Sequence, residues 1–75
     1  MKLRPLPARK VIHALQKIGF EPVRQKGSHI ILKNDEGTII VVPEHSGEEI
    51  GRGLLLKIIK QAGVSKEKFM ELLEK

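Results

Sequence analysis

A chain of 75 residues, 40% hydrophobic and 31% charged, has room for one small folded domain and none for a two-domain enzyme. Having no cysteine, it lacks a disulfide framework, a Cys-based zinc site and a thiol nucleophile. No apolar run is long enough for a transmembrane helix, and no signal-peptide core follows the basic start MKLRPLPARK. A single domain over residues 1–75, working in the cytoplasm, is the expectation.

Charge gives the first positive clue. Fourteen Lys and Arg against nine Asp and Glu leave a formal +5. The excess is lopsided. Residues 1–33 hold Lys2, Arg4, Arg9, Lys10, Lys17, Arg24, Lys26 and Lys33 against Glu21 alone, while residues 34–75 are net acidic. Such a basic half suits a polyanion. Ordinary solubilising charge is the plainer alternative, but the asymmetry in so short a chain favours nucleic acid. No membrane partner is expected, because no strongly amphipathic helix with aromatic anchors is present.

In chain order, residues 7–18 read as a helix, with Pro7 in the first turn and Val11, Ile12, Leu15 and Ile18 on one face. Arg9, Lys10, His13, Gln16 and Lys17 take the opposite face, Gly19 ends the helix, and Phe20 folds back on it. Three strands follow: Val23 to Lys26 after Pro22, His29 to Lys33, and Thr38 to Val42 before Pro43. Gly27-Ser28 is a tight hairpin turn and residues 34–37 form a second turn. The last strand is apolar almost throughout, which predicts a central or doubly covered position. Residues 44–52 read as a polar loop. A second helix spans 54–61, with Leu55, Ile58, Ile59 and Ala62 inward. Ser65 caps a third over 66–74, with Phe69, Leu72 and Leu73 inward. The order α-β-β-β-α-α closes most simply as an α+β fold, a three-stranded antiparallel sheet with helices on one face.

Candidate chemistry is sparse. His13, His29 and His45 and the scattered carboxylates lack metal-ligand spacing, so neither metal nor cofactor is expected. A Ser-His-Asp set has no nucleophile elbow. Gly51-Arg52-Gly53 before a helix is explained by capping rather than anion binding. With only Phe20 and Phe69 as aromatics, both suited to a core, base-stacking platforms of RRM or OB type are absent. Cationic recognition of the phosphate backbone stays open.

His29 is the residue of most interest. Alternation puts His29, Ile31 and Lys33 on one face and Ile30 and Leu32 on the other. With Ile30 and Leu32 toward the helices, His29 lies on the open face, where Arg24 and Lys26 flank it if the hairpin register allows. A neutral imidazole among cations can serve as a base, and the cations can hold phosphate. That combination suits metal-free cleavage of RNA through attack by a ribose 2′-OH. On spacing alone, a solvated histidine in a basic strand is the plainer reading. Surface roles are likewise the plainer readings of His13 and His45, although His45 is a candidate second acid or base.

Gly19-Phe20, residues 24–29 (RQKGSH), Val42-Pro43-Glu44-His45 and residues 58–63 (IIKQAG) together resemble one family. It is that of the HicA toxins, the YcfA-type mRNA interferases of type II toxin–antitoxin systems, and the resemblance runs over about residues 6–73. It implies a fold like the double-stranded-RNA-binding domain, a metal-independent endoribonuclease acting on single-stranded mRNA, and a HicB-like antitoxin partner. The family's catalytic histidine falls on His29, within Gly27-Ser28-His29. On this reading Arg24, Lys26, Gly27, Ser28 and Lys33 contact RNA. A non-catalytic RNA-binding module of the same fold is the alternative. A pure protein-interaction domain would instead use an apolar open face, Ile31 with either Ile39/Val41 or Ile40/Val42, and that face also suits antitoxin docking. The chain departs from the family at Gly53-Leu54-Leu55, where members often carry Gly-Thr-Leu, which predicts exposed apolar surface at Leu54 or Leu56.

Overall fold

The computed structural model describes residues 3–45 and 47–74. Lys2 of the basic half and Ser46 of the polar loop lie outside the described residues. In chain order the elements are β1 (Leu6–Pro7), α1 (Ala8–Gln16), β2 (Glu21–Lys26), β3 (His29–Lys33), β4 (Ile39–Pro43), β5 (Glu49–Ile50), α2 (Arg52–Ala62) and α3 (Lys66–Glu74). The fold is α+β, built on a three-stranded antiparallel sheet in the order β2-β3-β4. A second, two-stranded ribbon joins β1 to β5.

Why these segments form these elements is readable locally. In α1, Val11 and Leu15 fall on one face four residues apart and are fully buried, joined by Ala8 and Ala14. The helix ends where Gly19 turns to φ +98°. The amide of Phe20 then donates to the carbonyl of Leu15 at 3.1 Å, closing the last turn in the Schellman manner. This bond folds the Phe20 ring into the core, 2% exposed. In α2, Leu55, Ile58 and Ile59 are buried, and Gly63 at φ +76° ends the helix. The hydroxyl of Ser65 accepts from the amide of Lys68 at 3.0 Å, the expected N-cap of α3. Asn34 shapes the β3–β4 turn by accepting from the amides of Glu36 and Thr38.

The helices cover one face of the sheet. Ile30 and Leu32 of β3 and Ile40 and Val42 of β4 point into a single cluster with Val11, Leu15, Leu55, Ile58, Phe69 and Leu72. Each such side chain, taken fully out of water, contributes about 1.5–3 kcal/mol. At the far end of the cluster, the Lys17 ammonium donates to the carbonyl of Leu72 at 2.7 Å. That contact places a cation at the negative C-terminal end of α3.

Four expectations are corrected. First, β4 is neither central nor doubly covered. It is an edge strand in which Ile40 and Val42 are buried while Ile39 and Val41 stand 54% and 42% exposed. Second, β2 begins at Glu21, so Pro22 lies inside the strand rather than fixing its start. An edge strand tolerates a residue with no N–H to donate. Third, the polar segment 44–52 contains β5, which pairs with β1 through Leu6↔Ile50 and Pro7↔Glu49. Ile50, 4% exposed, anchors it to the core. Fourth, α1 spans Ala8–Gln16 and α2 starts at Arg52, so Pro7 caps α1 from outside and Gly53 lies within α2.

Candidate functional site

The hairpin turn fixes the site. Gly27, at φ +60°, is the one residue of the Gly27-Ser28 turn in the left-handed region, as a II′ hairpin turn requires of its first central residue. With only two turn residues, Lys26 pairs directly with His29. The next strand follows suit, His29 pairing with Pro43 and Ile31 with Val41. Residues directly opposite across antiparallel strands share a face. The open face therefore carries Lys26, His29 and Pro43 in one row, Arg24, Ile31 and Val41 in the next, and Glu21, Lys33 and Ile39 in the third.

The same turn fixes Arg24, two residues before Lys26 and opposite Ile31, and the one irregularity of the hairpin lies beyond it. Pro22 pairs with Leu32 and Arg24 with Ile31, so Val23 is an extra residue in β2. This bulge lies beyond Arg24 from the turn; it shifts the alternation by one and brings Glu21, rather than Pro22, onto the open face opposite Lys33. The register that spacing leaves open thus resolves in favour of both cations flanking the histidine. Arg24, Lys26, His29 and Lys33 are all exposed, and Ser28 is half-buried. The face mixes cations with apolar groups, since Ile31 of β3 continues into Val41 and Ile39 on the β4 edge, beside Arg24 and Lys33. Of the two sets considered for an apolar open face, Ile39/Val41 is the exposed one.

His45 joins this group from the loop after β4. Its ring centroid lies 6.4 Å from that of His29, with the two planes at 78°. The backbone brings them together, because the amide of Glu44 donates to the carbonyl of Ser28. Both rings are exposed. His45 also borders clefts lined by Glu44, Glu48 and Glu49, one of which Arg9 lines as well. The plain surface role assigned to His45 by spacing is therefore incomplete, as the ring is both solvent-exposed and beside His29. Pro43 pairs with His29 and His45 follows two residues later, a nearness that rests on the β3–β4 register. By contrast, His13 stands exposed on α1. On α2, Leu56 is 47% exposed and Leu54 half-buried.

A histidine at the head of the central strand, on a cationic sheet face opposite three helices, defines a small α+β domain with the general layout of a double-stranded-RNA-binding domain. The family model described as HicA toxin of bacterial toxin–antitoxin matches residues 8–64, which spans every element from α1 through α2. The chain belongs to that family: it is the toxin of a toxin–antitoxin system and has an antitoxin partner. No curated protein gives a match. Among the described residues, no helix is long and apolar enough to cross a membrane.

Proposed function

We propose that the protein is a metal-independent endoribonuclease that cuts single-stranded mRNA, with His29 as its general base. The observation that carries this reading is the placing of His29. It stands exposed on an open sheet face with Lys26 directly opposite and the His45 ring 6.4 Å away. Membership of the HicA family supports it.

His29 takes the proton of a ribose 2′-OH, and the freed oxygen attacks the adjacent phosphorus. Lys26, Arg24 and Lys33 hold the phosphates and stabilise the charge that builds on the non-bridging oxygens. Gly27 and Ser28 complete the RNA contact. Gly27 lets the backbone approach closely, and Ser28 supplies a hydrogen-bonding hydroxyl beside the base. The unit that carries the activity is a single HicA-like domain over residues 1–75, whose core runs from Leu3 to Leu72. Its setting is the cytoplasm, where mRNA is found. Its neutralising partner is a HicB-like antitoxin, which covers His29, offers carboxylates to the cations and rests on Ile31, Ile39 and Val41.

The test is cleavage of a long single-stranded RNA in EDTA, with His29→Ala in parallel. The expected result is a loss of about 10²-fold or more in the variant, with its fold and RNA binding kept. Undiminished cutting by folded His29→Ala protein overturns the assignment of the base. No cutting by either protein, with RNA still bound, favours a non-catalytic RNA-binding module.

A further inference from the structure

We infer that His45 is the general acid of this reaction, giving the leaving 5′-oxygen its proton as the bond to phosphorus breaks. The inference rests on the reading of the site as a ribonuclease with His29 as base, and it names a second catalytic residue.

A single base leaves half of the chemistry undone. In an in-line displacement the attacking 2′-oxygen and the leaving 5′-oxygen lie on opposite sides of phosphorus. A base and an acid must each come within about 2.6–3.2 Å of its own oxygen. One ring cannot reach both at once. Two rings 6.4 Å apart and turned 78° to each other can aim one nitrogen each at different oxygens of the same phosphate. Both are exposed, so RNA can reach them. Their spacing is held by main chain, through the Glu44 amide on the Ser28 carbonyl and through the His29↔Pro43 pair.

The two rings have different neighbours. Lys26 stands opposite His29, and Arg24 is in the next row. His45 instead borders clefts lined by Glu44, Glu48 and Glu49, together with Arg9 in one of them. The other nearby donors are poorer acids, because an ammonium or guanidinium releases a proton far less readily than an imidazolium near neutrality.

The step balances without a co-reactant. His29 gains the 2′-OH proton, and the 2′-oxygen forms a bond to phosphorus. The bond from phosphorus to the 5′-oxygen breaks, its electron pair leaving on that oxygen, which takes the proton from the His45 imidazolium. The products are a 2′,3′-cyclic phosphate and a free 5′-hydroxyl. Proton exchange with water resets both rings.

A substrate whose leaving group needs no proton provides the test. The cleavage site is first mapped in a long RNA. An oligoribonucleotide is then made with sulfur replacing the 5′-oxygen at that position, since a thiolate leaves without protonation. Wild type, His29→Ala, His45→Ala and His45→Gln are compared on both substrates. The expected result is that both His45 variants lose about 10²-fold or more on normal RNA and recover to within about tenfold of wild type on the sulfur-containing RNA. His29→Ala should stay impaired on both. Loss without recovery in the His45 variants overturns the acid role and leaves His45 a positioning residue. Undiminished cleavage of normal RNA by them overturns it outright. Recovery of His29→Ala instead reverses the two roles. Failure of the wild type to cut normal RNA removes the ribonuclease reading itself, and with it this one.

Discussion

The Glu44 amide donates to the carbonyl of Ser28, so the residues just before His45 and just before His29 are joined by one backbone hydrogen bond. The bond is main chain on both sides, so side-chain changes at Glu44 leave it in place and loss of the N–H does not. Glu44→Ala should keep the distance between the rings, and Glu44→Pro should lose it. The expected outcome for Glu44→Pro is at least a tenfold fall in RNA cleavage with about 1 kcal/mol lost in stability. Cleavage rates beside urea unfolding of both variants check this.

Arg24, Lys26 and Lys33 share the open face with His29. In a His29→Ala background, where RNA stays intact, binding should weaken steeply with salt. Each phosphate contact on a single strand contributes about 0.7 to the slope of log affinity against log salt. Replacing all three cations by Ala should reduce that slope by about 2. Fluorescence anisotropy with a labelled RNA over a salt series measures it. An unchanged slope would move the RNA elsewhere on the surface.

The two faces of the sheet should respond differently to truncation. Leu32 is fully buried beneath the helices. Leu32→Ala should cost about 2–5 kcal/mol, enough to unfold much of a domain this small. Val41 is 42% exposed on the other face, and Val41→Ala should cost less than about 1 kcal/mol. Thermal unfolding of the two variants side by side gives the comparison.

Lys17 reaches from the end of α1 to the Leu72 carbonyl at 2.7 Å. Lys17→Met keeps much of the aliphatic stem and removes the donor and its charge. The expected loss is about 0.5–1 kcal/mol, felt first as faster amide exchange in the last turn of α3. Hydrogen-exchange mass spectrometry resolves that turn from the sheet.

The helices were legible because burial and helical spacing agree in them. Val11 and Leu15, Leu55 and Ile58, Phe69 and Leu72 each recur at three or four residues and are buried. The run Ile39 to Val42 misled for the opposite reason. Its two faces carry the same kind of branched aliphatic, so nothing in residue type separates buried Ile40 and Val42 from exposed Ile39 and Val41. β1 and β5, two residues each, are too short to show any period. At the site, alternation alone put His29 on the open face. Whether Arg24 joined it depended on the hairpin register, in which the two-residue turn pairs Lys26 with His29 and so Arg24 with Ile31. The nearness of His45 depended on the β3–β4 register together with the Glu44–Ser28 bond, both formed between segments far apart in the chain. Periodicity never reached a role for His29, which came from the resemblance to the HicA family.

The bulge at Val23 has one more consequence. The sheet has two free edges of different character. Along β2, a proline with no N–H and an extra residue break the regular spacing of donors and acceptors. Along β4, from Ile39 to Val42, the pairing with β3 is regular, and no strand lies beyond it among the described residues. An extended segment of another chain, docking by main-chain hydrogen bonds, would therefore meet a poor template on one side and a good one on the other. The sheet is prepared to grow in one direction only.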